Sequence, residues 1–267
     1  MAFFQPIRKY RITYFICRRF LFFLLFSCLM VDPASAGEKT EPFHPGEKLV
    51  FELKWAVISA GEATLQVLPI KKVNGNDIYH FALTAKSNKF IDNFYKVRDK
   101  IDAYTDVQMT HSLYYSKKQR EGKTKKNVHV KFYWDKNEAV YNDILKGKKR
   151  KPISLLPGTF DPLSIFYFAR SLPMKTNMVL ERPVTDGKKC VVGKTTIVKR
   201  ETITVKAGTF DTFLIEPELK HVGGVFKKSE NAKIELWITA DERKIPVKLK
   251  SEVVVGSFSA ELVSYNE

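Results

Sequence analysis

The chain has 267 residues, of which 13% are aromatic, with 45 Lys and Arg against 29 Asp and Glu, a formal net charge of +16 and three cysteines. That length suits one large β domain, which commonly runs to ~200–250 residues, and three cysteines are too few for a disulfide-stapled scaffold. The basic surplus points to anionic neighbours such as lipid headgroups, acidic polymers or an acidic protein, or to a soluble surface coated in lysine.

The first predicted element is a targeting segment. Arg8, Lys9, Arg11, Arg18 and Arg19 precede an apolar run over residues 20–31, then Asp32 and Pro33 break it, and Ala34-Ser35-Ala36 supplies a small-x-small cleavage site. The run is shorter than the ~20 residues that span a bilayer. Residues 1–36 therefore read as a cleaved signal peptide and residues 37–267 as a single β-rich domain. The expected location is the periplasm of a Gram-negative-type bacterium, membrane-peripheral at most. An uncleaved anchor is the rival, as is acylation of Cys28, which the bulky Phe26 disfavours. Export also argues against nucleic acid as a partner. Cleavage removes Cys17 and Cys28. Cys190 then remains, in Lys-Lys-Cys-Val-Val, a setting for a half-buried strand side chain with no neighbouring His to activate it.

Period-two alternation dominates the chain beyond the leader. Leu49, Phe51, Leu53 and Trp55 share one face, and Ala63, Leu65 and Val67 another. The Asn74-Gly75-Asn76-Asp77 turn leads to Tyr79, Phe81, Leu83 and Ala85, so residues 60–86 read as a hairpin. Val128, Val130, Phe132 and Trp134 repeat the pattern before a turn at 135–137 and a strand near 138–145. Further strands are predicted near 95–104, 110–118, 190–198, 201–206 and 211–219. At the C-terminus Ile234, Leu236 and Ile238 precede a turn at 240–244. Val247 and Leu249 resume, Gly256 interrupts as a bulge or bend, and Phe258, Ala260 and Leu262 close the chain.

One helix is predicted over 162–171. Asp161 suits the N-cap and Pro162 the next position, Pro173 stops it, and Leu163, Ile165, Phe166 and Phe168 make it apolar nearly all round, hence buried. Residues 86–94 fit either a short helix or a loop. Gly-Thr-Phe-Asp occurs at 158–161 and again at 208–211, in different contexts that suggest recurring turn chemistry rather than duplication.

Four segments in order resemble a bacterial exported family known as domain of unknown function 3108. They are Pro45-Gly46-Glu47-Lys48-Leu49-Val50-Phe51-Glu52 with Ala60-Gly61-Glu62-Ala63, then Leu156-Pro157-Gly158-Thr159-Phe160-Asp161-Pro162-Leu163-Ser164, then Val205-Lys206-Ala207-Gly208-Thr209-Phe210-Asp211-Thr212-Phe213. The last is Leu236-Trp237-Ile238-Thr239 with Arg243-Lys244-Ile245-Pro246-Val247. The resemblance spans nearly all of residues 43–265. It implies an envelope protein with a curved antiparallel sheet and carries no activity.

The residues themselves point away from catalysis. His44, His80, His111, His129 and His221 show no metal-type spacing, and His80 and His129 fall on polar strand faces, where solvation is expected. Ser164 lies within a helix rather than on a nucleophile elbow. Asp161 suits a cap and Asp211 a turn better than paired acid–base work. No catalytic residue, metal or cofactor is expected. Two basic runs stand out: Lys117, Lys118, Arg120, Lys123, Lys125 and Lys126, and Lys146, Lys148, Lys149, Arg150 and Lys151. If their strands are neighbours they form one positive rim, able to dock on anionic lipid or polymer, or simply guarding edge strands against aggregation.

The expected fold is all-β: a large twisted antiparallel sheet curled into an open or half-closed barrel, with the short helix on its concave side, or else a two-sheet β-sandwich. A curled sheet either fills its interior or leaves an apolar groove, for which Trp55, Trp134 and Phe166 are the candidate contacts. The functional expectation is a non-catalytic periplasmic binding protein, carrier or chaperone for a hydrophobic, anionic envelope molecule such as a lipid. The alternatives are a structural or interaction module that engages an envelope protein, and an enzyme acting on cell-wall or lipid material.

Overall fold

The computed structural model describes residues 41–218, 233–253 and 256–266. The expected signal peptide, and His221, lie outside these residues. Strands β1 (Lys48–Trp55), β2 (Ile58–Val73), β3 (Asn76–Ser87), β4 (Arg98–Asp106), β5 (Ser112–Glu121), β6 (Thr124–Tyr133) and β7 (Glu138–Asp143) form an antiparallel meander. Two short pieces, β8 (Lys148–Lys149) and β9 (Ile153–Ser154), pair with β7. A second meander comprises β10 (Val179–Thr185), β11 (Cys190–Val205), β12 (Gly208–Pro217), β13 (Lys233–Thr239), β14 (Pro246–Val253) and β15 (Gly256–Asn266). Pairing of β15 with β1 joins the two into one sheet of 15 strands, with β10 at one edge and β8 and β9 at the other. It is an open barrel-like sheet and not a sandwich.

The two edges approach each other without a continuous strand ladder. After β9 the chain crosses between them. Leu155 N–H donates to the Asn137 carbonyl (2.8 Å), and Ser112 N–H donates to that of Thr159 (3.1 Å). Phe160 N–H donates to Pro183 on β10 (3.0 Å), and its own carbonyl accepts from Thr185 (2.9 Å). The turn between β10 and β11 rests on β6 and β7 at Gly187, where φ is +85° and a Cβ would come within 2.6 Å of Val130. Only glycine meets both demands.

Alternation explains the core. Phe81, Val130 and Phe132 face the concave side, where Leu49, Val67, Ala103 and Leu262 join them from other strands. Among the described residues two helices occur: α1 (Lys89–Asp92) and α2 (Ser164–Arg170). Helix α2 lies on the concave side. Tyr167 stacks on Phe81 (centroids 4.0 Å apart) and meets Phe43 edge-on, while Phe168 stacks on Phe160. Aromatic side chains sealed this way each contribute ~1.5–3 kcal/mol. A smaller apolar cluster of Ile197, Phe213, Ile215 and Ile238 packs with Met174 and Met178.

Several local expectations are corrected. The helix begins at Ser164, not 162, because Pro162 and Leu163 form a turn under the Asp161 carboxylate. Segments 190–198 and 201–206 are one strand, β11, with a register shift between Ile197 and Lys199. Strand β10 escaped notice because Pro183 reads as a strand breaker; an edge strand tolerates it. Gly256 is not a bulge within a strand. It opens β15 with φ +114° and pairs with Val253, the last residue of β14. Asp211 lies within β12 rather than in a turn.

Candidate functional site

Strand register brings several turns to one end of the sheet: β1–β2, the α1 segment between β3 and β4, β5–β6, and β7–β8. The start of β15 lies there too, since Trp55 pairs with Phe258. In the β5–β6 hairpin Lys118 faces Asn127, Gln119 faces Lys126 and Arg120 faces Lys125. Ile144 N–H donates to the Asn127 carbonyl (2.8 Å), and Lys148 pairs with Asp143. The two basic runs are thus side by side, as the rim required. Lys117 and Lys126 share the concave face with Tyr115 and Val128, whereas Lys118, Arg120 and Lys125 take the convex face. Lys123, Lys146, Lys148, Lys149, Arg150 and Lys151 are exposed.

Apolar side chains stand exposed at the same end. Val57 is 94% exposed, Phe94 77%, Phe90 60% and Leu145 59%, with Trp55, Ile58, Tyr95, Ile144 and Phe258 beside them. The α1 segment that presents the two phenylalanines is firmly anchored. Asn88 caps it, accepting from Ile91 N–H (2.9 Å) and donating to the Ser59 carbonyl (2.7 Å). Arg98 grips Asp92 with both terminal guanidinium nitrogens (3.0 and 2.6 Å) and holds that carboxyl below its ordinary range. Gly122 N–H donates to the Lys96 carbonyl, and a Cβ at Gly122 would meet the Tyr95 ring at 2.7 Å. Sequence reasoning missed these aromatics. The available signal was Asn88 as an N-cap, with Phe90 and Phe94 one helical turn apart.

Asp99, also at this end, is perturbed in the opposite direction. Burial lifts Asp99 from 3.8 to about 6; the Arg120 N–H bond (2.8 Å) opposes the shift and Glu121 adds to it. The folded state therefore favours protonated Asp99. Its contribution is fully favourable at acid pH and is lost as pH rises through about 6. Asp99→Asn is expected to raise the thermal midpoint at pH 8, with the gain vanishing by pH 4. Thermal unfolding across that range checks it, and a gain that grew toward acid pH would contradict the assignment.

The three candidate groove residues do not converge. Trp55 stacks on Phe258 at the basic end (6.4 Å). Trp134 follows β6 at the opposite end, donates its indole N–H to the Ser112 carbonyl (2.8 Å) and packs against the core between Phe132 and His111. Phe166 is half-buried on α2, edge-on to Tyr167.

The buried polar groups bind elements together. Arg170, wholly buried, donates to both Glu47 oxygens (2.7 Å each) and to the carbonyls of Lys244, Pro42 and Arg243 (2.9, 3.1 and 3.2 Å), flanked by the rings of Phe43 and Tyr167. The Asp161 carboxylate, equally buried, accepts the hydroxyls of Ser112 and Ser164 (2.6 Å each) and the N–H groups of Leu163 and Ser164 (2.9 Å each). Burial pushes this carboxyl up, outweighing the four donors that pull it down. Ser164 is thereby committed to the cap. Asp211 pairs with Arg200 at the surface. Cys190 lies 3.4 Å from the Thr159 hydroxyl. His80 is not solvated as expected: Tyr104 stacks on it at 4.2 Å, and its Nε2 meets Asp102 at 2.8 Å. His129 is half-buried, and burial lowers its pKa.

These features define a class: an open, barrel-like antiparallel sheet with a helix on its concave side and basic and apolar side chains exposed together at one end. The chain belongs to the family described as "Protein of unknown function (DUF3108)", whose model matches residues 50–263. No curated protein matches the sequence. Among solved structures, it is similar to a β-barrel-like protein of domain of unknown function DUF1849 from Brucella abortus. The two share 9% identity with a TM-score of 0.52, over 82% of this chain and 96% of that one. That likeness concerns the fold. A candidate lipoprotein from Parabacteroides distasonis matches at 12% identity and TM-score 0.34, over 84% of this chain and 96% of its own. Among the described residues, no helix is long and apolar enough to cross a membrane.

Proposed function

We propose that this is a non-catalytic binding protein, exported to the periplasm of a Gram-negative-type envelope, that engages an anionic amphiphile. The observation that carries the proposal is the convergence of the 117–126 and 146–151 basic runs at an end that also exposes large apolar side chains. Cation and apolar surface side by side match a molecule with a negative head and a hydrocarbon tail. The ligand then binds on the outside of the sheet end, because α2 and Phe43 occupy the concave side.

The test is calorimetric titration with dodecyl phosphate kept below its micelle concentration. Saturable binding is expected, weakened about tenfold or more, some 1.4 kcal/mol or above, when Lys118, Lys125, Lys146, Lys148 and Lys149 become Gln. Absence of binding by the wild type, or equal binding by the variant, refutes the proposal. The occupied concave side favours one second reading, an interaction module for an envelope protein. Crosslinking to one partner, lost when residues 146–151 are neutralised, together with no amphiphile binding, would establish it.

A further inference from the structure

We propose that the basic end of the sheet is a membrane-docking foot: Phe90, Phe94, Val57 and Leu145 enter the interfacial layer of an anionic bilayer while the adjoining lysines meet its headgroups. The inference rests on the proposed function and narrows its ligand from an amphiphile to an assembled lipid surface.

Three observations carry it. First, exposed large apolar side chains recur along this end, on the β1–β2 turn, the α1 segment and the β7–β8 turn. Side chains of this size scattered singly are ordinary, but gathered at one end they mark an interaction surface. Second, their presentation is built. Phe90 and Phe94 touch edge-on (5.6 Å), and the segment carrying them is fixed by the Asn88 cap, the Arg98–Asp92 pair and the Gly122–Lys96 hydrogen bond. These polar contacts hold the rings toward water rather than folding them into the core. Third, charge selects the occupant. Lys89 and Lys96 flank the phenylalanines, Lys123 and Lys125 follow on the next turn, and Lys146 and Lys148 adjoin Leu145. Aromatic tips among lysines suit the negative headgroup layer of a bilayer, with ring and stem in the acyl boundary and ammonium groups outside. Three acidic groups near these side chains have partners within the protein: Asp92 with Arg98, Glu62 with Lys86, and Asp99 with the Arg120 N–H.

The experiment uses vesicles of equal phosphatidylglycerol and phosphatidylcholine, with phosphatidylcholine vesicles alongside. The purified protein is expected to cosediment with the first and not the second. Phe90→Ser with Phe94→Ser is expected to weaken partitioning tenfold or more, with the thermal midpoint unchanged because both rings are exposed. Trp55 emission is expected to be quenched by lipids brominated on the acyl chain, and that quenching to vanish in Trp55→Phe. Unchanged partitioning of the double variant, or no quenching of Trp55, overturns the docking foot. Dodecyl phosphate binding that persists in that case leaves the amphiphile proposal standing. Lipid-free self-association abolished by the double variant would also overturn it, in favour of a second copy of the chain.

Discussion

Replacing Arg170 with Met is expected to lower stability by ~3–5 kcal/mol, the range observed when one partner of a buried ion pair is removed. Its guanidinium is wholly buried and contacts Glu47 bidentately, so the variant leaves a carboxylate sealed beside Phe43 and Tyr167 without its counter-ion. The carbonyls of Pro42, Arg243 and Lys244 lose a donor as well. For a domain of this size that corresponds to a fall of roughly 6–20 °C in thermal midpoint. The pair itself need not be net stabilising, since desolvating two charges offsets most of their attraction. Glu47→Gln combined with Arg170→Met is therefore expected to recover part of the loss, and a double-mutant cycle measures the coupling. A single variant within about 1 kcal/mol of the wild type, on the order of a surface substitution, would show that the clasp does not fasten α2 to the N-terminal segment and the β13–β14 turn.

Asp161→Ala is expected to be at least as damaging. It strands two hydroxyls and two N–H groups in a dry site, each unsatisfied group costing ~1–3 kcal/mol. These donors join the start of β5 to the start of α2, next to the Phe160 backbone bonds to β10 that bridge the sheet edges. Asp161→Asn keeps the shape and an acceptor for the N–H groups, and the serine hydroxyls can rotate toward its amide. It should lose only ~1–2 kcal/mol. Chemical denaturation of both variants reads the difference directly. Equal losses would mean that the negative charge, rather than the count of hydrogen bonds, matters here.

Much of this architecture was legible along the chain. Alternation at Tyr79, Phe81 and Leu83, and at Val128, Val130 and Phe132, marks strands because successive side chains point to opposite faces, and the face carrying Phe81, Val130 and Phe132 lines the core. The Asp161-Pro162 cap and the greasy run after it announced a buried helix for an equally local reason. Arg170 was not legible: a basic residue at a helix C-terminus normally reads as solvated, and its burial depends on Glu47, 123 positions earlier in the chain. His80 misled in the same way, since its polar face is covered by Tyr104 from the next strand.

The basic end divides along the same line. Its lysines were visible as two runs in the sequence, because charge is a property of the residue. Their adjacency was conditional, and the β6–β7 register met the condition. The exposure of Phe90 and Phe94 was not read from the sequence; apolar rings are buried by default, and contacts such as the Asn88 cap and the Asp92–Arg98 pair, formed on folding, fix the segment that presents them. Most strands and the buried helix were written into the order of residues, since each depends on a few close neighbours in the chain, whereas β10 with its Pro183 was not. That distant turns share one end, and that Arg170 lies inside, arose only on folding, because both depend on register and contacts between strands.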